Sequence, residues 1–158
     1  MFQIGDKIVH PMHGGGIIDS IVQKKVDGVT RDYYIMKLPN RTMVVMIPVD
    51  NCEEIGVRPV LDAEQTEQVL AAIPGLHVEM VSNWNRRYRE NMDRLKSGDL
   101  LQVAQVAKGL AEREYGRGLS TGERKMLHSA RQILVSEIVL SQNISYEAAE
   151  KALDAVLV

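Results

Sequence analysis

The chain has little of several things, and each shortage removes a class of function. Cys52 is the only cysteine in 158 residues, which excludes an intrachain disulfide and a multi-cysteine zinc site. No apolar run approaches the ~20 residues that a membrane-spanning helix needs. The amino terminus, Met-Phe-Gln-Ile-Gly-Asp, is charged within six residues and has no signal-peptide core, so the expected setting is the cytoplasm. Aromatic residues make up 4% of the chain and hydrophobic residues 45%, which predicts an aliphatic core with the eight methionines as filler. Positive charge is not in excess either. The chain has 19 Lys/Arg against 21 Asp/Glu, a net of −2, so a uniformly basic coat is excluded.

Charge is sorted by segment instead. Residues 82–96 carry five Lys/Arg and two Asp/Glu, and residues 117–131 carry four and one, an excess of three in each. Residues 61–79 have four acids and neither Lys nor Arg. Such sorting favours a local anionic partner. The first basic segment holds the only tryptophan, in Ser82-Asn83-Trp84-Asn85-Arg86-Arg87-Tyr88-Arg89-Glu90. Ser82 reads as the N-cap of a helix running to Lys96, with Gly98 as its stop. Trp84, Tyr88, Met92 and Leu95 then share one stripe, Arg86 and Arg89 project away from it, and Arg87 lies on its flank. Two readings stay open. One is an amphipathic helix with a core tryptophan and solvated arginines. The other is a basic helix that presents an aromatic wedge to nucleic acid, with arginines on phosphates.

Residues 1–60 read as strands. The runs 6–10, 16–26, 29–38 and 42–47 are β-prone, and Asp27-Gly28 is a hairpin turn, because glycine accepts the positive φ required there. Lys/Arg and Asp/Glu balance at seven each through residue 60, so this half is not an obvious DNA binder. Around residues 56–61 the apolar period switches from two to 3.6. Asp62 with Gln65, and Ser120 with Glu123, are capping boxes, and Ser145 caps a final helix. The predicted fold is α+β: a small antiparallel sheet or SH3-like β domain over residues 1–60, then an all-α helical bundle over 61–158.

Catalytic chemistry finds no constellation. The four histidines read as loop or surface residues, and no metal or other cofactor is implied. Gly14-Gly15-Gly16 lacks the Gly-Lys-Ser/Thr ending and precedes a strand, so it reads as a turn and not a phosphate cradle. No Gly-x-Ser-x-Gly elbow is present, and no carboxylate stands in an apolar run that would mark a raised pKa. An enzyme is not expected, nor is a small-molecule substrate. The apolar run 42–47, Thr-Met-Val-Val-Met-Ile, fits either a central strand buried on both faces or an edge strand completed by another protein.

Certain blocks resemble a known family. Val9-His10-Pro11-Met12-His13-Gly14-Gly15-Gly16-Ile17, after Gly5-Asp6, is similar to the opening of the CarD/CdnL transcription regulators. It also resembles the polymerase-interacting module of the transcription-repair coupling factor, which lacks a helical half. Asn83-Trp84-Asn85-Arg86-Arg87-Tyr88-Arg89, Ser97-Gly98-Asp99 and Leu119-Ser120-Thr121-Gly122-Glu123-Arg124-Lys125-Met126-Leu127 resemble the CarD/CdnL helical domain. The likeness covers essentially the full chain. It implies a Tudor-like domain that docks on the β subunit of bacterial RNA polymerase by strand pairing. It also implies a helical domain that reaches promoter DNA at the upstream edge of the melted bubble, through the minor groove and with little sequence specificity. Carried over by position, Trp84 is the wedge, and Arg86, Arg87, Arg89, Arg124 and Lys125 are the basic contacts. Lys24, Ile35, Met46 and Pro48 match the polymerase-docking surface. Some members have arginine where this chain has Met46, and many have an aromatic in place of His10. The rival reading is a free-standing, weak DNA-binding protein without polymerase docking.

Overall fold

The computed structural model describes residues 1–157. Five antiparallel strands come first: β1 (Lys7–His10), β2 (Gly14–Val26), β3 (Val29–Lys37), β4 (Val44–Pro48) and β5 (Arg58–Pro59), in the spatial order β4-β3-β2-β1-β5. A one-turn helix, α1 (Cys52–Ile55), separates the last two strands. Neither α1 nor β5 was expected from the sequence. Asp27 and Gly28 both take positive φ, 52° and 80°, as a two-residue hairpin requires. A register shift between Ile18 and Ser20 marks a bulge at Asp19, which bends the long β2 across the sheet. Ile8, Ile18, Tyr34, Met36, Val45, Ile47 and the free thiol of Cys52 form the core on one face.

The run read as 42–47 forms a strand only from Val44 to Pro48, and it lies at the edge of the sheet. Its alternation is that of an edge strand with one buried face: Val45 and Ile47 point inward, while Val44 and Met46 are exposed. Burial on both faces is thereby corrected.

The helical half follows: α2 (Ala63–Ala72), a 3-10 turn (Ile73–Gly75), α3 (Trp84–Lys96), α4 (Leu100–Gly116), α5 (Thr121–Gln142) and α6 (Tyr146–Leu157). Both expected capping boxes are formed, at Asp62/Gln65 and Ser120/Glu123. Ser145 Oγ accepts from Ala148 N at the start of α6. Val103, Ala104, Ala107 and Leu110 of α4 pack with Met126, Ala130, Ile133 and Leu134 of α5 in one core. Gly109 lets the chain before α3 cross α4 closely, since a Cβ there would collide with Met80 Cε and lie 3.0 Å from Val78 Cγ1. Among the described residues no helix is long and apolar enough to cross a membrane.

The two halves touch. Residues 11–13 make the β1–β2 turn, and Gly14-Gly15-Gly16, expected as a turn, instead opens β2: Gly14, with φ +87°, pairs with His10, and Gly14 and Gly15 press the strand against the backbone of α5. A Cβ on Gly14 would collide with Ser136 Oγ and lie 2.9 Å from Ile133 Cα. Gly15 N donates to Ser136 Oγ at 2.8 Å. One residue on, the fully buried Glu137 accepts two hydrogen bonds of 2.8 Å from Arg58. Glu137 and Glu123 are nevertheless buried carboxylates that no local run of the sequence marks. Each is neutralised by an arginine from far along the chain.

Candidate functional site

Two surfaces stand out. The first is built around the start of α3. Its N-cap is Asn83, whose Oδ1 accepts from Arg86 N at 3.0 Å. Ser82 lies one residue outside the cap, and its carbonyl accepts from Arg87 Nη1 at 3.0 Å, so the expected cap shifts by one position. Trp84 is thus the first helical residue, with no preceding turn to cover it.

Trp84 is 42% exposed, Tyr88 and Met92 are half-buried, and Leu95 is buried. The stripe is core at one end and surface at the other, so neither sequence reading holds along its whole length. The indole is nevertheless fixed. Its Nε1 donates to Ser120 Oγ at 3.0 Å, and its ring stacks on Tyr88 with centroids 5.1 Å apart and planes 20° apart. Ser120 is the N-cap of α5: its hydroxyl accepts from Glu123 N at 3.2 Å and donates to Glu123 Oε1 at 3.1 Å. Gly122 borders the ring pair, where a Cβ would make ordinary van der Waals contact with Tyr88 and Trp84. Two helix N-termini, each with unpaired N–H groups and a partial positive charge, meet at one exposed ring.

The arginines of α3 divide sharply. Arg87 is 3% exposed and grips Glu123 through Nε at 2.8 Å and Nη2 at 3.3 Å, while Nη1 reaches Val81 O and Ser82 O. Its expected place on a phosphate is corrected, because the guanidinium is consumed inside the fold. The Arg87 hydrogen bond holds the Glu123 carboxyl below its ordinary range; the Ser120 bonds add to this and burial opposes it. Arg86 makes an exposed pair with Glu90 at 3.0 Å, which water and salt screen strongly. Arg89, Arg124 and Lys125 are exposed, and no carboxylate lies within 4.0 Å of them among the described residues. Three free cations and one loosely paired one therefore stand in the first two turns of the two helices whose N-termini meet at the ring.

The second surface is the outer face of the sheet. Register places Ile35 opposite Met46 and Tyr33 opposite both Pro48 and Val22, while Lys24 sits opposite Arg31. Cross-strand partners share a face and strand neighbours alternate. Lys24, Ile35, Met46 and Pro48 therefore lie on one side of the sheet, away from the core. Met46 is 37% exposed and Val44 is 44% exposed, on a strand with no ladder partner on its far side among the described residues. Such an edge can accept a strand from another chain.

His10 and His13 stand in neither surface. Their rings are 4.8 Å apart beside the junction of the halves. Burial holds both below the ordinary histidine value, helped at His10 by His13 and at His13 by Arg41. The sequence reading missed Arg58, Glu137 and Ser136, and the bond from Trp84 to Ser120, because each acts on a partner more than thirty positions away. The triple glycine was the one visible signal of the close β2–α5 contact.

Comparisons with known proteins cover both halves. Residues 2–61 match the family described as the CarD-like/TRCF RID domain, and residues 68–154 match the CarD C-terminal domain. A protein of Bacillus subtilis (strain 168), named "Putative transcription factor YdeB", is 33% identical over 145 residues, spanning 92% of this chain and 95% of that protein. The order of the two matches follows the β-then-α order of the fold, and together with this relative they show that the chain belongs to the CarD/CdnL family of transcription regulators.

Proposed function

We propose that this regulator docks on the β subunit of bacterial RNA polymerase and stabilises the open promoter complex. Residues 1–60 carry the docking role and residues 61–158 the DNA role. The polymerase pairs with β4 and covers Ile35, Met46 and Pro48, with Lys24 toward the distal hairpin. Trp84 enters the minor groove at the upstream edge of the bubble, with Arg86, Arg89, Arg124 and Lys125 on nearby phosphates. Melting has already unstacked that step, so a wedge there costs less than in intact duplex. Preference for the melted state shifts the opening equilibrium by no more than the difference in affinity between the two states. Few cations are free, so contact with DNA alone is weak, and docking supplies a high effective concentration. Nothing in this role requires catalysis or a cofactor.

The free β4 edge carries this reading over a free-standing DNA binder. Such a binder has no use for an unpaired strand with exposed Val44 and Met46. Met46→Glu in the full chain tests it. The buried charge should weaken binding to the β subunit by about tenfold or more, with the helical half still folded. Full polymerase binding by the variant would move docking off β4, and absence of polymerase binding by the parent chain would return it to the free-standing reading.

A further inference from the structure

Between the two surfaces lies a polar junction that neither uses. Arg58 gives two parallel 2.8 Å hydrogen bonds to Glu137 and a third, from Nε, to Gly98 O at 2.8 Å. Glu137 Oε2 also accepts from Leu61 N at 2.8 Å. Four segments thus meet at one carboxylate–guanidinium fork: β5, the linker into α2, the α3–α4 turn and the middle of α5. Around it, Gly14 and Gly15 lie on the α5 backbone, and Lys7 Nζ donates to Leu140 O at 2.9 Å. Pro11 is buried, and its Cγ would lie 3.2 Å from a Cβ on Gly56 and 4.0 Å from one on Gly98.

A buried ion pair is a poor way to gain stability, since desolvation offsets most of the attraction and apolar packing would serve as well. What the planar fork supplies is direction, because two parallel bonds fix both distance and angle. The same helix carries the other end of the arrangement. Ser120, which holds the Trp84 indole, caps the helix in which Ser136 and Glu137 meet the sheet. Sixteen positions separate Ser120 from Ser136, about 24 Å of straight helix.

We propose that Arg58 and Glu137 form a positioning latch, with α5 as the rod that holds Trp84 at a fixed reach from the docking face. This rests on the proposed function and adds to it. Docking then delivers the ring to its target without a search. With a loose joint, the same docked molecule would present Trp84 over a wider volume and at a lower effective concentration.

The test uses the full chain with paired spin labels at Glu54→Cys and His128→Cys, both exposed and outside either surface; Cys52 is buried. Two latch variants are compared with the parent. Arg58→Met with Glu137→Gln removes the pair without leaving a buried charge. Gly15→Ala inserts a methyl 3.0 Å from Leu140 Cδ1 and 3.3 Å from Glu137 Cα, so that β2 and α5 must give by a few tenths of an ångström at their contact. The parent should give one narrow distance distribution and the variants a broad one. Polymerase affinity should stay within about twofold, while the lengthening of open-complex lifetime falls about threefold or more. A purely structural role would lower melting temperature but leave the folded-state distances narrow. Equally narrow distances in parent and variants overturn the latch, as do broadened distances with an undiminished lifetime effect. If the parent itself does not prolong the open complex, the proposed function fails, and the distances alone then decide whether the pair fixes the two halves.

Discussion

The outer face of the sheet and the Trp84 end of the helical half are both exposed, yet they are held in place by different means. The sheet face is apolar beside β4 and basic toward the distal hairpin, and its side chains stand where strand alternation puts them. Its free groups are a backbone edge, which only another strand can complete. The Trp84 end is a single ring pinned by Ser120, which is pinned by Glu123, which is pinned by Arg87. Its free groups are cations and helix N-termini, which an anion completes. The lesson is that exposure alone does not name a partner. The unsatisfied chemistry around the exposed group does, and under the proposed function it separates a protein partner from a nucleic acid.

The largest expected effect breaks one side of that comparison and spares the other. Arg87→Met strands Glu123 in the interior and should cost the helical half about 3–5 kcal/mol. It should also free the Trp84 ring, while the sheet keeps its hydrogen-exchange protection. Thermal melting followed by circular dichroism gives the cost. A loss below about 1 kcal/mol, as for an exposed pair, would mean that Arg87 is not the buried anchor described.

Acid should separate the same two regions. Glu123 is held below its ordinary value of 4.5, so its contribution is complete above that value and disappears as pH falls through the lower folded-state value. His10 and His13 are held below 6.5 in the folded chain, so the unfolded chain takes up protons first. Their contribution is complete above 6.5 and is lost as pH falls through the folded-state values. The β1–β2 turn and the junction should therefore loosen at milder acidity than the α3–α5 contact. Hydrogen exchange across a pH series resolves the order, and simultaneous loosening would argue against separate control.

A smaller effect sharpens the cation side. Arg89→Ala with Arg124→Ala should leave polymerase binding unchanged and flatten the salt dependence of DNA binding. The slope should fall by about 0.9 for each phosphate that is no longer neutralised. An unaltered slope would assign the phosphates to other residues.

How much of this could be read from the chain depended on sequence distance. The capping boxes at Asp62 and Ser120 were legible because their partners lie three residues on. The Asp27-Gly28 hairpin was legible for the same reason. Arg87 was not, since the residue that buries it is 36 positions away and nothing local separates it from Arg86 or Arg89. Nor was the edge position of β4, because strand order follows from long-range pairing and not from the composition of one run. Ser82 and Asn83 are both able to cap, and only the three-dimensional path puts Asn83 on Arg86 N. The triple glycine reads as a turn but opens β2 instead, because the α5 backbone lying against it is set by contacts far along the chain. Family resemblance supplied roles for both surfaces and kept Arg87 among the DNA contacts, where burial now excludes it.

Trp84→Ala, with competitor-challenged open-complex lifetime measured beside thermal melting of the same protein, tests the central claim most directly. The ring is 42% exposed, with one hydrogen bond and one stacked neighbour, so its loss should cost about 1–2 kcal/mol. Polymerase binding should persist, and the open complex should decay nearly as fast as with no regulator present. A stability loss of about 3–5 kcal/mol would place Trp84 in the core instead, and an unchanged lifetime with intact folding would contradict its role at the melted promoter outright.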